Sequence, residues 1–291
     1  IRCVGMSELS ELVDPVMLPS IGGGEIALHH LGGTGPSVMF VHATGFNAQT
    51  YGPFTERLCK GYSVWAPDLR AHGWSTAPTN GDYEWTSLAE DLLTVVDYLE
   101  IRTGELDCVG HSVGAATLLL ADSLRPGLIR SMYGYEPIMW RPGECFAKGE
   151  NPLVAGAQKR RQIFDSRAQA LERFASKGPF CVCRADALKS YVDFGFEVLP
   201  NKSIQLRCSG VHEAAVYDGE RVSTTDRILN CLAPVVIGKG ADEGFGNLGT
   251  PAFEALPNAS LKIHADLGHF GPLEAPNRIA DDAIASLWSP S

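Results

Sequence analysis

Gly110-His111-Ser112-Val113-Gly114 lies inside the run LDCVGHSVGAATLLL at 106–120, which reads as an apolar strand, a turn and an apolar helix. A serine with glycine two residues before and after it suits a strained strand-to-helix turn, where only minimal side chains let the backbone pass. Ser112 would then stand clear of the strand at a helix N-terminus, whose free amides and dipole favour nearby negative charge. That is a nucleophile's placement. The same five residues could also make a tight turn with an idle serine. The apolar stretches on both sides, unbroken until Arg125-Pro126, favour the reactive reading.

A serine attacking a carbonyl needs donors for the oxyanion it creates. His42-Ala43-Thr44-Gly45-Phe46 follows a short apolar run, and its small residues let backbone amides face a cavity. The Thr44 and Val113 N–H groups are the candidate oxyanion donors. In Pro67-Asp68-Leu69-Arg70-Ala71-His72-Gly73, Asp68, Arg70 and His72 are expected to brace a loop by hydrogen bonds and ion pairs, because a buried loop must satisfy its own polar groups.

Period-two and period-3.6 patterns supply the elements that would hold these residues. Residues 25–31 and 37–41 read as strands joined by Gly32-Gly33-Thr34-Gly35-Pro36 in a hairpin-like connection, and 62–66 as a third. A helix is expected over 86–99, followed by the strand before Ser112, the helix after it, and a strand over 129–135. Strands alternating with helices imply an α/β fold with a mostly parallel sheet covered on both faces. From 138 to 229 the order breaks, with helix-like segments near 151–176 and 186–196. Strands resume at 233–238 and 260–264, and an amphipathic helix covers 277–288. The expected division is a core of 1–137 and 230–291 with an inserted cap at 138–229.

With 291 residues, 45% of them hydrophobic, the chain can bury one large core. A formal charge of −10 argues against a nucleic-acid or anionic-membrane partner and favours a small neutral or weakly polar ligand. The chain opens at Ile1, with Met6 a candidate natural start; lacking a signal-peptide pattern or a membrane-length apolar run, it reads as cytoplasmic. The eight cysteines are scattered and read as packing residues, and neither they nor the eight histidines show metal-ligand spacing. No nucleotide-binding glycine pattern is present, so no cofactor is expected.

HATGF at 42–46, PDLRAHGWS at 67–75, GHSVG at 110–114 and GHFGPLEAP at 268–276 together resemble the α/β-hydrolase superfamily over both flanks of the chain. The resemblance implies a chain order of serine, acid, histidine. His269, between glycine and phenylalanine in a loop after the last strand, is then the base that activates Ser112. The carboxylate that orients it has two candidates. Asp242 follows the strand after the cap, the commonest place in the family; Glu136 follows the strand after the serine's helix, as in some lactonases, and Glu243 is a more distant third. His111 is expected to point away from the serine, and His42 to brace its loop.

The resemblance thus implies a serine esterase or lactonase working through an acyl-enzyme, with water as second substrate and a cap that selects the first. Carbon–carbon bond hydrolysis of a diketone, thioester hydrolysis, cofactor-free perhydrolysis and a non-enzymatic small-molecule receptor are rivals on the same fold. Of the cap aromatics Trp140, Phe146, Phe164, Phe174, Phe180, Tyr191, Phe194 and Phe196, some could line a pocket, while most are expected in the core. Lys159-Arg160-Arg161 is expected to be a solvated helix face rather than a grip on an acidic group.

Overall fold

The computed structural model describes residues 14–220, 224–241 and 249–288. Its strands are β1 (Val16–Pro19), β2 (Glu25–Gly32), β3 (Ser37–Val41), β4 (Ser63–Pro67), β5 (Leu106–His111), β6 (Ile129–Tyr135), β7 (Ile163–Phe164), β8 (Phe196–Val198), β9 (Ile204–Leu206), β10 (Val235–Lys239) and β11 (Ala259–Ile263). Eight of them form one sheet in the order β1-β2-β4-β3-β5-β6-β10-β11. From β4 to β11 the neighbours are parallel; β2 runs antiparallel to both β1 and β4.

Side-chain alternation explains the layers. In β3, Val38 and Phe40 enter the core on one face while Met39 and Val41 enter the core on the other. The first face is covered by the helices Gly52–Leu58 and Pro276–Ser286, the second by Trp85–Tyr98 and Val113–Leu124. β5 has no exposed residue and lies between β3 and β6, so the serine turn projects from the middle of the sheet.

Two expectations need correction. β2 and β3 do not form a hairpin, because β4 lies between them. The helix Gly52–Leu58 crosses from β3 to β4, and the parallel pair it creates takes the position beside β2. The stretch 151–176 is two helices, Pro152–Gln158 and Arg167–Ser176, with β7 between them. β7 belongs to a small antiparallel sheet, β7-β9-β8, whose strands of two or three residues are too short to show a period.

The excursion between β6 and β10 is clasped where it leaves and returns. Trp140 N donates to Thr224 Oγ1 at 2.8 Å, and the Thr224 and Thr225 N–H groups donate to Trp140 O at 3.0 and 3.2 Å. Among the described residues, no helix is long and apolar enough to cross a membrane.

Candidate active site

The turn after β5 forces Ser112 to φ 56° and ψ −124°, a region a side-chain-bearing residue enters only under constraint. A Cβ on Gly110 would lie 2.5 Å from Ala115 Cα, and one on Gly114 would lie 2.4 Å from the carbonyl oxygens of Val41 and His42. Both obstacles are backbone or tightly packed, so the glycines let helix and strand approach. Ser112 N donates to Tyr135 O at 2.9 Å, fixing the turn to β6. Ser112 Oγ lies 3.1 Å from His269 Nε2, although 157 residues separate them in the chain.

His269 sits on a braced loop. Tyr135 Oη donates to Gly268 O at 2.8 Å, Gly268 N donates to Glu274 Oε1 at 3.0 Å, and His111 Nε2 donates to His269 O at 2.8 Å. Of the two acid candidates, Glu136 is close: its Oε2 is 3.8 Å from His269 Nδ1, beyond hydrogen-bond length, while its Oε1 accepts from Gly240 N at 2.7 Å. Asp242 and Glu243 lie outside the described residues.

The loop carrying Thr44 is held from several sides. Ala43 N donates to Tyr51 Oη at 3.3 Å, Gly45 N to His72 Nε2 at 2.9 Å, and Ala48 N to Asp68 Oδ1 at 2.8 Å. His72 Nδ1 donates to Arg70 O at 2.9 Å, so its ring is the neutral Nδ1–H tautomer. His42 is neutral in the same way, donating from Nδ1 to Ala43 O and accepting at Nε2 from Leu69 N. Burial above all, with the neighbouring His72, pushes the His42 pKa down to about 4. Asp68 is also fully buried. Burial pulls its pKa up, but the His29 hydrogen bond and charge, His42 and the Ala48 N–H together hold it below the ordinary value. Arg70, wholly buried, donates to Asp91 Oδ2, Asp82 O and Ser87 O at 2.8 Å each. The bracing expected of Asp68, Arg70, His72 and His42 is therefore what the structure contains.

Two residues here carry more than the sequence reading assigned them. Tyr51 Oη lies 2.7 Å from His111 Nδ1. Because His111 Nε2 donates to His269 O, its Nδ1 must accept, and Tyr51 supplies that proton while receiving the Ala43 N–H. A continuous chain thus runs from the Thr44 loop through the elbow to His269. The histidine inside GHSVG was the available signal.

Ser112, His269, Thr44 and Val113 all line one cavity of about 390 Å³. Its walls are mostly apolar, with Phe46 and Phe270 from the core elements, and Trp140, Phe146 and Phe180 from the excursion. Phe164, Phe174, Tyr191 and Phe196 pack in the core instead, the division expected of the aromatics. The expectation for Lys159-Arg160-Arg161 holds only in part. Lys159 and Arg161 are exposed, but Arg160 turns inward to the cavity, where the helix Pro152–Gln158 has ended and Glu213 Oε2 accepts from it at 2.5 Å. Among the described residues, no group of three His, Cys, Asp or Glu side chains is placed to hold a metal ion.

Over 208 residues the chain is 26% identical to 2-(acetamidomethylene)succinate hydrolase of Mesorhizobium japonicum, a match spanning 72% of this chain and 71% of that protein. The fold superimposes on the crystal structure of E-2-(acetamidomethylene)succinate hydrolase with a TM-score of 0.76, at 20% identity over 94% of this chain and 98% of that one. It also superimposes on a thioesterase domain from the curacin biosynthetic pathway with a TM-score of 0.75, at 18% identity over 93% and 100% of the two chains. Residues 38–282 match the profile of the alpha/beta hydrolase family, most of the length and every sheet strand from β3 onward. The chain belongs to the alpha/beta hydrolase family.

Proposed function

We propose that the chain is a serine hydrolase that cleaves a carboxylic ester or lactone of a small, largely apolar substrate through an acyl-enzyme. The observation that carries this reading is the 3.1 Å approach of Ser112 Oγ to His269 Nε2 at an apolar cavity. In the proposed reaction His269 Nε2 takes the Oγ proton as Oγ attacks the carbonyl carbon. The oxyanion faces the Thr44 and Val113 N–H groups. Collapse expels the alcohol, which takes the proton from His269; water, deprotonated by the same nitrogen, then attacks the acyl carbon, and the bond to Ser112 breaks as Oγ recovers the proton and the acid leaves. Glu136 or Asp242 orients the imidazole and balances its charge. In this reading residues 138–229 act as the cap that selects substrate, and core residues 1–137 and 230–291 carry the chemistry.

The test is turnover of short acyl esters and lactones by the wild type and by Ser112→Ala, Asp242→Asn and Glu136→Gln, each checked for folding. Ser112→Ala should lower kcat by about 10³-fold or more. The carboxylate substitution with the larger loss identifies the acid. A folded wild type inert on the whole panel would overturn the ester and lactone reading.

A further inference from the structure

Arg160 and Glu213 line the cavity, yet the reaction above uses neither. Among the described residues that line the cavity, Arg160 bears the one fixed positive charge and Glu213 the one carboxylate. The two are spent on each other: Arg160 Nη1 donates to Glu213 Oε2 at 2.5 Å, and Nη2 donates to Tyr191 Oη. Tyr217 Oη, also at the cavity, donates to Glu213 Oε1 at 3.4 Å. The guanidinium lies over the Phe180 ring, 5.3 Å from its centre. Burial works against its charge, but Tyr191 and Glu213 outweigh that and raise its pKa.

The pair also rests on the Thr44 loop. A Cβ on Gly45, which sits at φ 82°, would lie 2.8 Å from Glu213 Oε1 and 3.4 Å from Arg160 Nη1. A larger residue there would push the pair away. Buried ion pairs are poor stabilisers because both charges lose their hydration, so one placed in a substrate cavity calls for another explanation. An incoming carboxylate drawn to Arg160 would meet a guanidinium already neutralised and the like charge of Glu213 beside it, and must either bear that repulsion or displace Glu213 from its partner. A neutral substrate meets no such cost.

We propose that Glu213 is a specificity-determining residue: by holding Arg160 neutralised over the Thr44 loop, it restricts the cavity to substrates that carry no negative charge on the part facing this pair. This rests on the reading of the cavity as a hydrolase substrate site. The inference is tested by binding, which does not depend on turnover. In the Ser112→Ala background, dimethyl glutarate and monomethyl glutarate, matched in chain length and differing by one charge at neutral pH, are titrated against tryptophan fluorescence, since Trp85 and Trp140 line the cavity.

With Glu213 in place, the diester should bind about tenfold more tightly or better. Glu213→Gln should shift the ratio toward the monoanion by about tenfold, and adding Arg160→Met should cancel that shift. Tighter binding of the monoanion with Glu213 in place, a ratio unchanged by Glu213→Gln, a shift that survives Arg160→Met, or quenching by neither ligand would each overturn the proposal. The first of these needs no Glu213 variant, so it stands even where that variant does not fold. Turnover of the diester by the Ser112 enzyme is scored separately and speaks only to the esterase reading.

Discussion

Tyr51 joins parts of the site that lie far apart in the chain, since its hydroxyl meets His111 sixty residues on and the Ala43 N–H on the other side. All three groups are buried. Tyr51→Phe removes one oxygen and leaves an imidazole nitrogen and an amide without partners, which should cost about 1–3 kcal/mol of stability. Because the same chain ends on the His269 carbonyl, kcat should fall about tenfold with KM little changed, a split that steady-state kinetics and urea denaturation together would reveal. Ser112 and its glycines were legible because the elbow is a local motif whose meaning is contained in five residues. Tyr51 was not, because nothing near it in sequence announces a partner across two strands. For the proposed acid the sequence offered only a choice, since Glu136 and Asp242 follow in sequence β6 and β10, which lie side by side and run parallel.

At the level of elements, the approach of the helix Val113–Leu124 to β3 depends on the absence of one methyl group. Gly114→Ala would place a carbon 2.4 Å from two carbonyl oxygens that no side-chain rotation can move. The helix must withdraw or the strand must bend, and the loss should be about 3 kcal/mol, readable as a lower urea midpoint with an unchanged m-value. The helix Trp85–Tyr98 was readable from its spacing because one face packs on the sheet and the other meets water. The segment near 186–196 is the helix Ala185–Phe194, whereas the stretch 151–176 was misread where tertiary contacts override propensity. There the chain abandons its helix so that Arg160 can reach Glu213, and β7 joins two other very short strands only because the folded chain brings them together.

Across the whole molecule, acid is the condition that should undo this architecture first. His42, His72 and His111 are wholly buried, and burial is the main reason that all three have depressed pKa values. Each is neutral in the fold and free to protonate in the unfolded chain. Their stabilisation is therefore complete above the unfolded value of about 6.5 and is lost as the pH falls toward the folded values. For His42, with a folded value of about 4, the loss across that window is about 3 kcal/mol. Melting temperatures measured between neutral pH and pH ~4.5 should fall steeply, and His42→Gln should flatten the slope while lowering stability at neutral pH; an equal slope in both proteins would refute the assignment. The clasp between Trp140 and Thr224 matters on a longer timescale. A segment that leaves the sheet after β6 and is pinned where it returns before β10 can lengthen, shorten or be exchanged for another without re-routing a sheet strand. Under the proposed function, the part that carries the chemistry and the part that selects the substrate could then vary separately within one gene.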